Sequence, residues 1–296
     1  MRIAVIRNPT SNRNARAGIR PTGLPTAEPR SPAELRAALA EFRTGRIVIL
    51  VIDGGDGTIR EVLSALVEMD WRPRLAVLPR GKVNLVARDV GLADHCPDLL
   101  ARLAGGAGRI ERRALLRLDH RDGTSHGLFL GAGAFTKGWQ LANAQLHPRG
   151  LRAAGAVAVA LALTLGRATA DASLNAGIPV GLRCDGQSML DGPCFVLLAT
   201  TLERLMLGLW PFWGNGDGAI KSLAVAAPPR RLAAALPALA RGRPKEWMEP
   251  AGYVSRRSGR LDIVGEAPVI LDGEPFTPAA GRLILSSGPE MEFVRP

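Results

Sequence analysis

Lysine is nearly missing from this 296-residue chain. Lys82, Lys137, Lys221 and Lys245 are the only lysines among 38 basic residues, so the formal charge of +11 is carried almost wholly by arginine. Aromatic residues are also scarce, at 4% with a single Tyr, and no basic run is interleaved with aromatic rings. That argues against the stacking stripe of a nucleic-acid binder. Cysteine is limited to Cys96, Cys184 and Cys194, an odd number without C-x-x-C spacing or a nearby His. A zinc site and a disulfide framework are both disfavoured, and a reducing cytoplasm suits the chain best. Long apolar runs are missing too. The longest, Ala153 to Gly166 between Arg152 and Arg167, falls short of the ~20 residues that a membrane-crossing helix needs. The opening MRIAVIRNPTSN has too short an apolar core for a secretory signal.

What is present is an ordinary globular composition, 47% hydrophobic and 22% charged, in a chain long enough for two domains with real cores. The arginine-rich surface favours anions: nucleotide phosphates, acidic lipids or nucleic acid. A GC-rich genome that writes arginine wherever a surface needs charge is the competing explanation.

Residues 2–6, RIAVI, read as a short buried strand running into the turn-forming RNPTSNRN. Residues 14–31 lack periodicity and read as an irregular loop. Ser31, Pro32 and Glu34 form a capping-box pattern that predicts a helix over about 32–43. Residues 46–52, RIVILVI, are continuously apolar after their first Arg, as a central parallel strand covered on both faces should be. Ile59, Val62, Leu63 and Leu66 then form a helical stripe, so the glycines between lie in a strand-to-helix turn. RLAVLP at 74–79, RGKVN and the helical LVARDVGL repeat the plan, and two successive units of this kind imply an α/β domain with a parallel sheet. After AGGAG at 104–108 the chain turns to short strand-like segments, interrupted by a helix expected at about 150–165 and a second in RRLAAALPALARG. The domains are therefore placed at 1–108, with the tail 282–296 a candidate addition, and at 109–281, which is β-rich and β-sandwich-like.

The turn itself, VIDGGDGT, sits where the helix after a parallel strand presents unpaired N–H groups and a positive dipole end, an arrangement that attracts phosphate. Gly54, Gly55 and Gly57 let backbone pass close to a phosphate chain, and Thr58 adds a hydroxyl. Asp56 would repel bare phosphate. Its presence makes sense if it meets a metal ion bridging phosphates or takes a proton from an attacking hydroxyl. The plain alternative is a tight turn without a ligand. Neither G-x-x-x-x-G-K-[ST] nor G-x-G-x-x-G occurs elsewhere in the chain.

NPTSN at 8–12, GGDGTIREV at 54–62, LPRGKVNLVARDVGL at 78–92, WGNGDGAIKSLAV at 213–225 and LDGE at 271–274 occur in that order. Together they resemble the diacylglycerol kinase catalytic family, which includes bacterial lipid kinases and sphingosine and ceramide kinases. The resemblance implies an α/β nucleotide-binding domain followed by a β-rich lipid-binding domain. It implies magnesium-dependent transfer of the ATP γ-phosphoryl group to the hydroxyl of a diacylglycerol, ceramide or sphingoid lipid, at a cleft between the two. Asn8, Thr10, Gly54, Gly55, Asp56, Gly57, Thr58, Glu61, Gly81, Lys82 and Asn84 would surround the nucleotide. Asp272 would be the base, with Asp56 its rival and Glu274 assisting, and Asp217 would hold Mg2+. Partners follow: ATP, a lipid and an anionic membrane surface, with no nucleic acid and with a homodimer left open. The location implied is cytoplasmic, peripheral on the inner face of the membrane.

This chain departs from the family pattern in three places. Lys82 replaces the usual Thr after Gly81, Leu85 stands where many diacylglycerol kinases have an acidic residue, and Ala114 where they often have an Asp that supports the base. Trp210, Phe212 and Trp213 form a cluster that either faces lipid or fills the core. NAD kinase and sugar kinases also use Gly-Gly-Asp-Gly turns, and a lipid- or nucleotide-binding regulator that lost catalysis is a further alternative. The second motif and the late Asp-Gly-Glu point instead to a lipid kinase.

Overall fold

The computed structural model describes residues 2–11, 23–81, 84–90, 99–106, 108–141, 175–205 and 208–295. The helix expected at 150–165, Cys96 and Lys82 lie outside them. The chain divides into two compact units, Met1–Leu115 with Pro289–Pro296, and Leu116–Gly288.

The first unit contains β1 (Ile3–Arg7), β2 (Thr26–Ala27), α1 (Pro32–Thr44), β3 (Ile49–Gly54), α2 (Asp56–Glu68), β4 (Arg74–Pro79), α3 (Leu85–Asp89) and α4 (Leu99–Ala104). Its strands run parallel in the order β4, β3, β1, β2, as the two strand–turn–helix repeats predict. Ile49 to Ile52 of β3 are fully covered, which explains their uninterrupted apolar run. The strand starts later than the sequence pattern suggests. Arg46 takes a left-handed turn at φ 52°, and the exposed Val48 lies outside the ladder.

Helix α1 begins where its cap predicts: Ser31 Oγ accepts from the Glu34 N–H at 3.2 Å. Glu34 reaches back one residue further than a standard capping box, accepting from the Arg30 N–H. On α2 the stripe Ile59, Val62, Leu63 and Leu66 is buried. Each such side chain contributes about 1.5–3 kcal/mol by leaving water. That burial fixes which face of α2 is turned to the core. The short β2 falls in the region expected to be irregular. Two residues paired with Val5 and Ile6 of β1 leave no periodic signal to read.

From β5 (Arg109–His120) onward the chain is mainly antiparallel. It continues through β6 (Gly123–Gly127), β7 (Phe129–Gly133), α5 (Ala134–Leu141), β8 (Ile178–Pro179), β9 (Gly181–Cys184), β10 (Gln187–Leu190) and β11 (Pro193–Thr200). β12 (Ile220–Ala226), α6 (Leu232–Arg241), β13 (Tyr253–Ser258), β14 (Arg260–Val264), β15 (Val269–Leu271), β16 (Glu274–Phe276) and β17 (Arg282–Arg295) follow. In the second unit β9 and β14 pair with β10 and with the start of β17, while a second sheet runs β13, β12, β11, β7, β15, β16. Leu182, Leu261, Ile263, Leu283 and Leu285 of the first group share one core with Leu130, Leu197, Ala224, Val269 and Leu271 of the second, the interior of a β-sandwich. The expected fold class, parallel α/β followed by a β-rich sandwich, is therefore present.

On the opposite face of the second sheet, Phe195, Leu223, Val225 and Tyr253 pack with α6. Phe212 is buried there, with Trp210 and Trp213 packed beside it, so the aromatic cluster fills core. The end of β17 belongs to the first unit, where Phe293 pairs in parallel with Leu75 of β4. Among the described residues no helix is long and apolar enough to cross a membrane.

Candidate functional site

The carboxyl ends of β1, β3 and β4 each lead into one of the motifs, and those motifs are tied together. Asn8 follows β1 and curls into an Asx turn, its Oδ1 accepting from the Thr10 N–H at 3.0 Å and from Thr10 Oγ1 at 2.7 Å. Its Nδ2 donates to Thr58 Oγ1 at 2.9 Å, joining the first loop to the first turn of α2.

The glycines have distinct steric duties. A Cβ on Gly54 would fall 2.6 Å from the Thr58 side chain, and one on Gly81 would fall 2.5 Å from the Gly55 Cα. Gly55 and Gly81 are therefore a backbone-to-backbone contact between two loops, too close for any side chain. Asn84, left-handed at φ 56°, clasps Gly81 from both sides: its Oδ1 accepts the Gly81 N–H at 2.7 Å and its Nδ2 donates to the Gly81 carbonyl at 3.1 Å.

Gly55 is the N-cap of α2 and brings no capping side chain, and the first helical acceptor is reached only by Ile59, which donates to the Gly55 carbonyl. The first turn thus presents N–H groups without carbonyl partners, beside a cradle that any side chain would fill. This arrangement fits a phosphate chain.

Asp56 points away from open solvent. Its Oδ1 accepts from the Val86 N–H at 3.3 Å. Burial raises the pKa of its carboxyl above the usual carboxylate value, opposed by backbone N–H donors of Leu85, Val86, Asn84 and Asp56 itself. The carboxylate is thus an acceptor for the start of α3, a tie between the two strand–turn–helix repeats. Gly57 lies in the first turn of α2, and Glu61 is exposed, with Arg60 3.8 Å away. Asn8, Thr10, Gly54, Gly55, Asp56, Thr58, Gly81 and Asn84 are brought together, and Glu61 follows Thr58 by three residues on α2.

Asp272, Glu274 and Asp217 belong to the second unit. Asp272 occupies the β15–β16 turn at φ 46°. Its Oδ1 accepts from the Phe129 N–H and its Oδ2 from the Leu128 N–H, both at 2.9 Å, at the entry to β7. A Cβ on Gly127 would fall 2.6 Å from Asp272 Oδ2, so that glycine makes room for the carboxylate. Glu274 is exposed at the start of β16. Asp217 is exposed in the loop before β12. The register of β12, β11, β7 and β15 puts Lys221, near the start of β12, at the same end of the sheet as Asp272, and Asp217 precedes it in a loop whose Gly216 and Gly218 lie against Arg257 and Ser258 of β13. Among the described residues no three His, Cys, Asp or Glu cluster as metal ligands. A single carboxylate is nevertheless an adequate protein ligand for Mg2+, which keeps most of its waters.

Several buried polar residues escaped sequence reading. Asp53, at the end of β3, is 1% exposed and pairs with Arg80 Nε at 3.0 Å and Arg7 Nε at 3.4 Å. Arg7 also donates to Glu28 at 2.7 Å. Asp89, fully buried, accepts from Arg113 at 2.6 Å, beside Ala114. A signal did exist for the first group, since Arg7 and Asp53 are charges closing apolar strands that are otherwise buried.

With this geometry in place, comparison with known proteins is informative. Residues 2–112 match the model of the diacylglycerol kinase catalytic domain. A diacylglycerol kinase of Bacillus subtilis (strain 168) is 43% identical over 60 residues, 20% of this chain and 18% of that one. A diacylglycerol kinase of Staphylococcus aureus (strain JH9) is 44% identical over 50 residues, 17% and 15% of the two. The alignments thus span less than a fifth of the length of these curated relatives. Among solved structures, a diacylglycerol kinase from Bacillus anthracis str. Sterne superposes with a TM-score of 0.66 at 16% identity, covering 100% of this chain and 97% of that one. A second chain from the same organism gives 0.67 at 16%, covering 100% and 95%. The resemblance read from the motifs is borne out in the amino-terminal part by sequence and along the whole chain by fold.

Proposed function

We propose that this protein is a lipid kinase that transfers the γ-phosphoryl group of ATP to the hydroxyl of a membrane lipid. The observation that carries the reading is the interlocking of the Asn8, Gly54–Thr58 and Gly81–Asn84 loops at the ends of parallel strands, over a stretch matched by the diacylglycerol kinase catalytic domain. The α2 amino terminus takes the phosphates. Asn8, Thr10 and Thr58 hold one wall of the nucleotide pocket and Asn84 the other. Glu61 lies further along α2, and Lys82 would add a cation for the phosphates.

Asp272 is the base in this reading. Both of its oxygens are oriented by backbone N–H groups at the entry to β7, which fixes the direction in which the carboxylate would meet an incoming hydroxyl. As the hydroxyl oxygen bonds to the γ-phosphorus, the bond to the β–γ bridging oxygen breaks, ADP leaves and the hydroxyl proton passes to Asp272. Asp56, its carboxyl turned to the α3 backbone, is the rival base, and Glu274 borders the Asp272 turn. Asp217 would hold Mg2+, which when bound neutralises charge on oxygen ligands.

Diacylglycerol is the substrate class favoured by the relatives' names. Ceramide and sphingoid bases share its hydroxyl beside apolar chains, and Leu85 and Ala114 keep them in contention. The basic surface suits work at the inner face of an anionic membrane, where each Lys or Arg near the leaflet contributes on the order of 1 kcal/mol.

The test is radiolabelled ATP with diacylglycerol, monoacylglycerol, ceramide and sphingosine in anionic and in neutral vesicles. Phosphorylation of one lipid, stronger on anionic vesicles and falling with salt, is expected. Absence of lipid phosphorylation on every vesicle, with nucleotide still bound, would mark a binding protein instead.

A further inference from the structure

Arg80, Asp53 and Arg7 each stand immediately before a motif residue: Arg80 before Gly81, Asp53 before Gly54, Arg7 before Asn8. Asp53 is shared between the two guanidiniums, and Arg7 has a second carboxylate in Glu28. Arg80 is differently placed. Its Nε donates to Asp53 Oδ1 at 3.0 Å, but among the described residues its two terminal nitrogens have no hydrogen-bond partner. Its side chain keeps 15% exposure, enough to meet a ligand, while the Nε bond restricts where the planar fork can point. The Arg80 backbone N–H donates to the Gly54 carbonyl at 3.3 Å, and Gly81 rests on Gly55, so the cation is anchored to the glycine turn.

We propose that Arg80 binds a phosphate group of the nucleotide through its terminal nitrogens, with Asp53 as the positioning residue that aims it. A guanidinium held at one nitrogen by a carboxylate and open at the other two can give two parallel N–H bonds to phosphate oxygens. In a loop where Thr is usual and Lys82 stands, this restores donors for an anion. The inference rests on the nucleotide reading of the same turn.

Calorimetric titration of the full chain with ADP, adenosine and inorganic phosphate tests it, using the natural chain, Arg80→Ala, Arg80→Lys, Asp53→Asn and, as a surface control, Arg36→Ala. Arg80→Ala should weaken ADP about 10- to 100-fold, as loss of charged hydrogen bonds predicts, and leave adenosine within about twofold. In turnover it should raise KM for ATP with kcat largely kept. Arg80→Lys should lie between, since a lysine keeps charge but loses the fork. It also carries the test if the alanine variant fails to fold. Asp53→Asn should weaken ADP more than adenosine, and Arg36→Ala should change neither.

Inorganic phosphate binding as tightly as ADP would assign Arg80 to a free anion and overturn the nucleotide assignment. Equal losses for ADP and adenosine, or unchanged ADP binding in Arg80→Ala, would overturn the proposal alone. A natural chain that binds neither ADP nor adenosine would instead overturn the nucleotide reading on which it rests.

Discussion

The first unit buries charge where the second mostly buries hydroxyls. At the strand ends of the parallel sheet, Asp53 sits between two arginines, Asp56 accepts backbone N–H groups of the next loop, and Asp89 is closed over by Arg113. In the second unit Thr200 donates to the Leu128 carbonyl, Ser255 to the Ser222 carbonyl and Tyr253 to the Arg230 carbonyl, all neutral stitches. Lys221, bonded to Glu203 and the Leu202 carbonyl, and Asp262, held by Arg260 and Arg282, are exceptions. The difference follows from geometry. Antiparallel hairpins are joined by short turns, and hydroxyls suffice to fasten what lies beside them. Separate loops converging from three parallel strands must be aligned across gaps, and a charged acceptor gives stronger and more directional bonds at that distance. Asp272 breaks the second unit's habit: it is a carboxylate on a hairpin turn, held by two neutral donors.

That exception supplies the largest expected effect. Asp272→Asn keeps an acceptor for one N–H and sets an amide NH2 against the other, so stability should fall by about 1–3 kcal/mol, while lipid phosphorylation falls further, by about 10²- to 10⁴-fold, the usual contribution of a general base. A loss in melting temperature that matches the loss in rate would make Asp272 structural and erase the contrast. Gly81→Ala tests the tie in the first unit. The added methyl meets the Gly55 backbone, so one loop must shift at a cost of about 1–3 kcal/mol, with weaker ADP binding and unaltered packing in the second unit. Chemical denaturation with calorimetry would read both, and an unperturbed variant would show that the loops are independent.

The smallest effect probes the hydroxyl side. Burial pushes the Tyr253 pKa from 10.0 up to about 12. Its folded value lies above the unfolded one, so the stability it brings is complete below pH 10 and is lost as pH climbs through about 12. Because the chain has a single tyrosine, phenolate absorbance reports this residue alone, and a midpoint near 10 would contradict its burial.

Much of this was legible in residue order. The runs RIAVI, ILVI and RLAVLP, and the stripe Ile59, Val62, Leu63 and Leu66, predict a parallel sheet because burial on both faces removes alternation. The motif residues of the first unit were found from glycine and asparagine placed just after those runs. The Gly55–Gly81 contact was hidden, since nothing in either tripeptide says which other backbone it touches. The engagement of Asp56 with α3 was equally invisible, because its partners are backbone N–H groups, which carry no sequence signature. The Arg7–Asp53–Arg80 group was overlooked for a different reason: charges at strand ends normally mark where a strand meets water, and here they mark three loops being joined. The aromatic residues 210, 212 and 213 read equally well as surface or core because a short, turn-rich segment has no periodicity to choose a face.

The last strand has a consequence for how the chain is made. Phe293 lies beside Leu75, and Arg74 bonds to Glu292 across 218 residues of sequence. Every motif of the first unit has emerged from the ribosome long before this partner exists. The sheet that holds them is completed only by residues that follow the whole of the second unit, so the second unit can begin to fold before the first is finished.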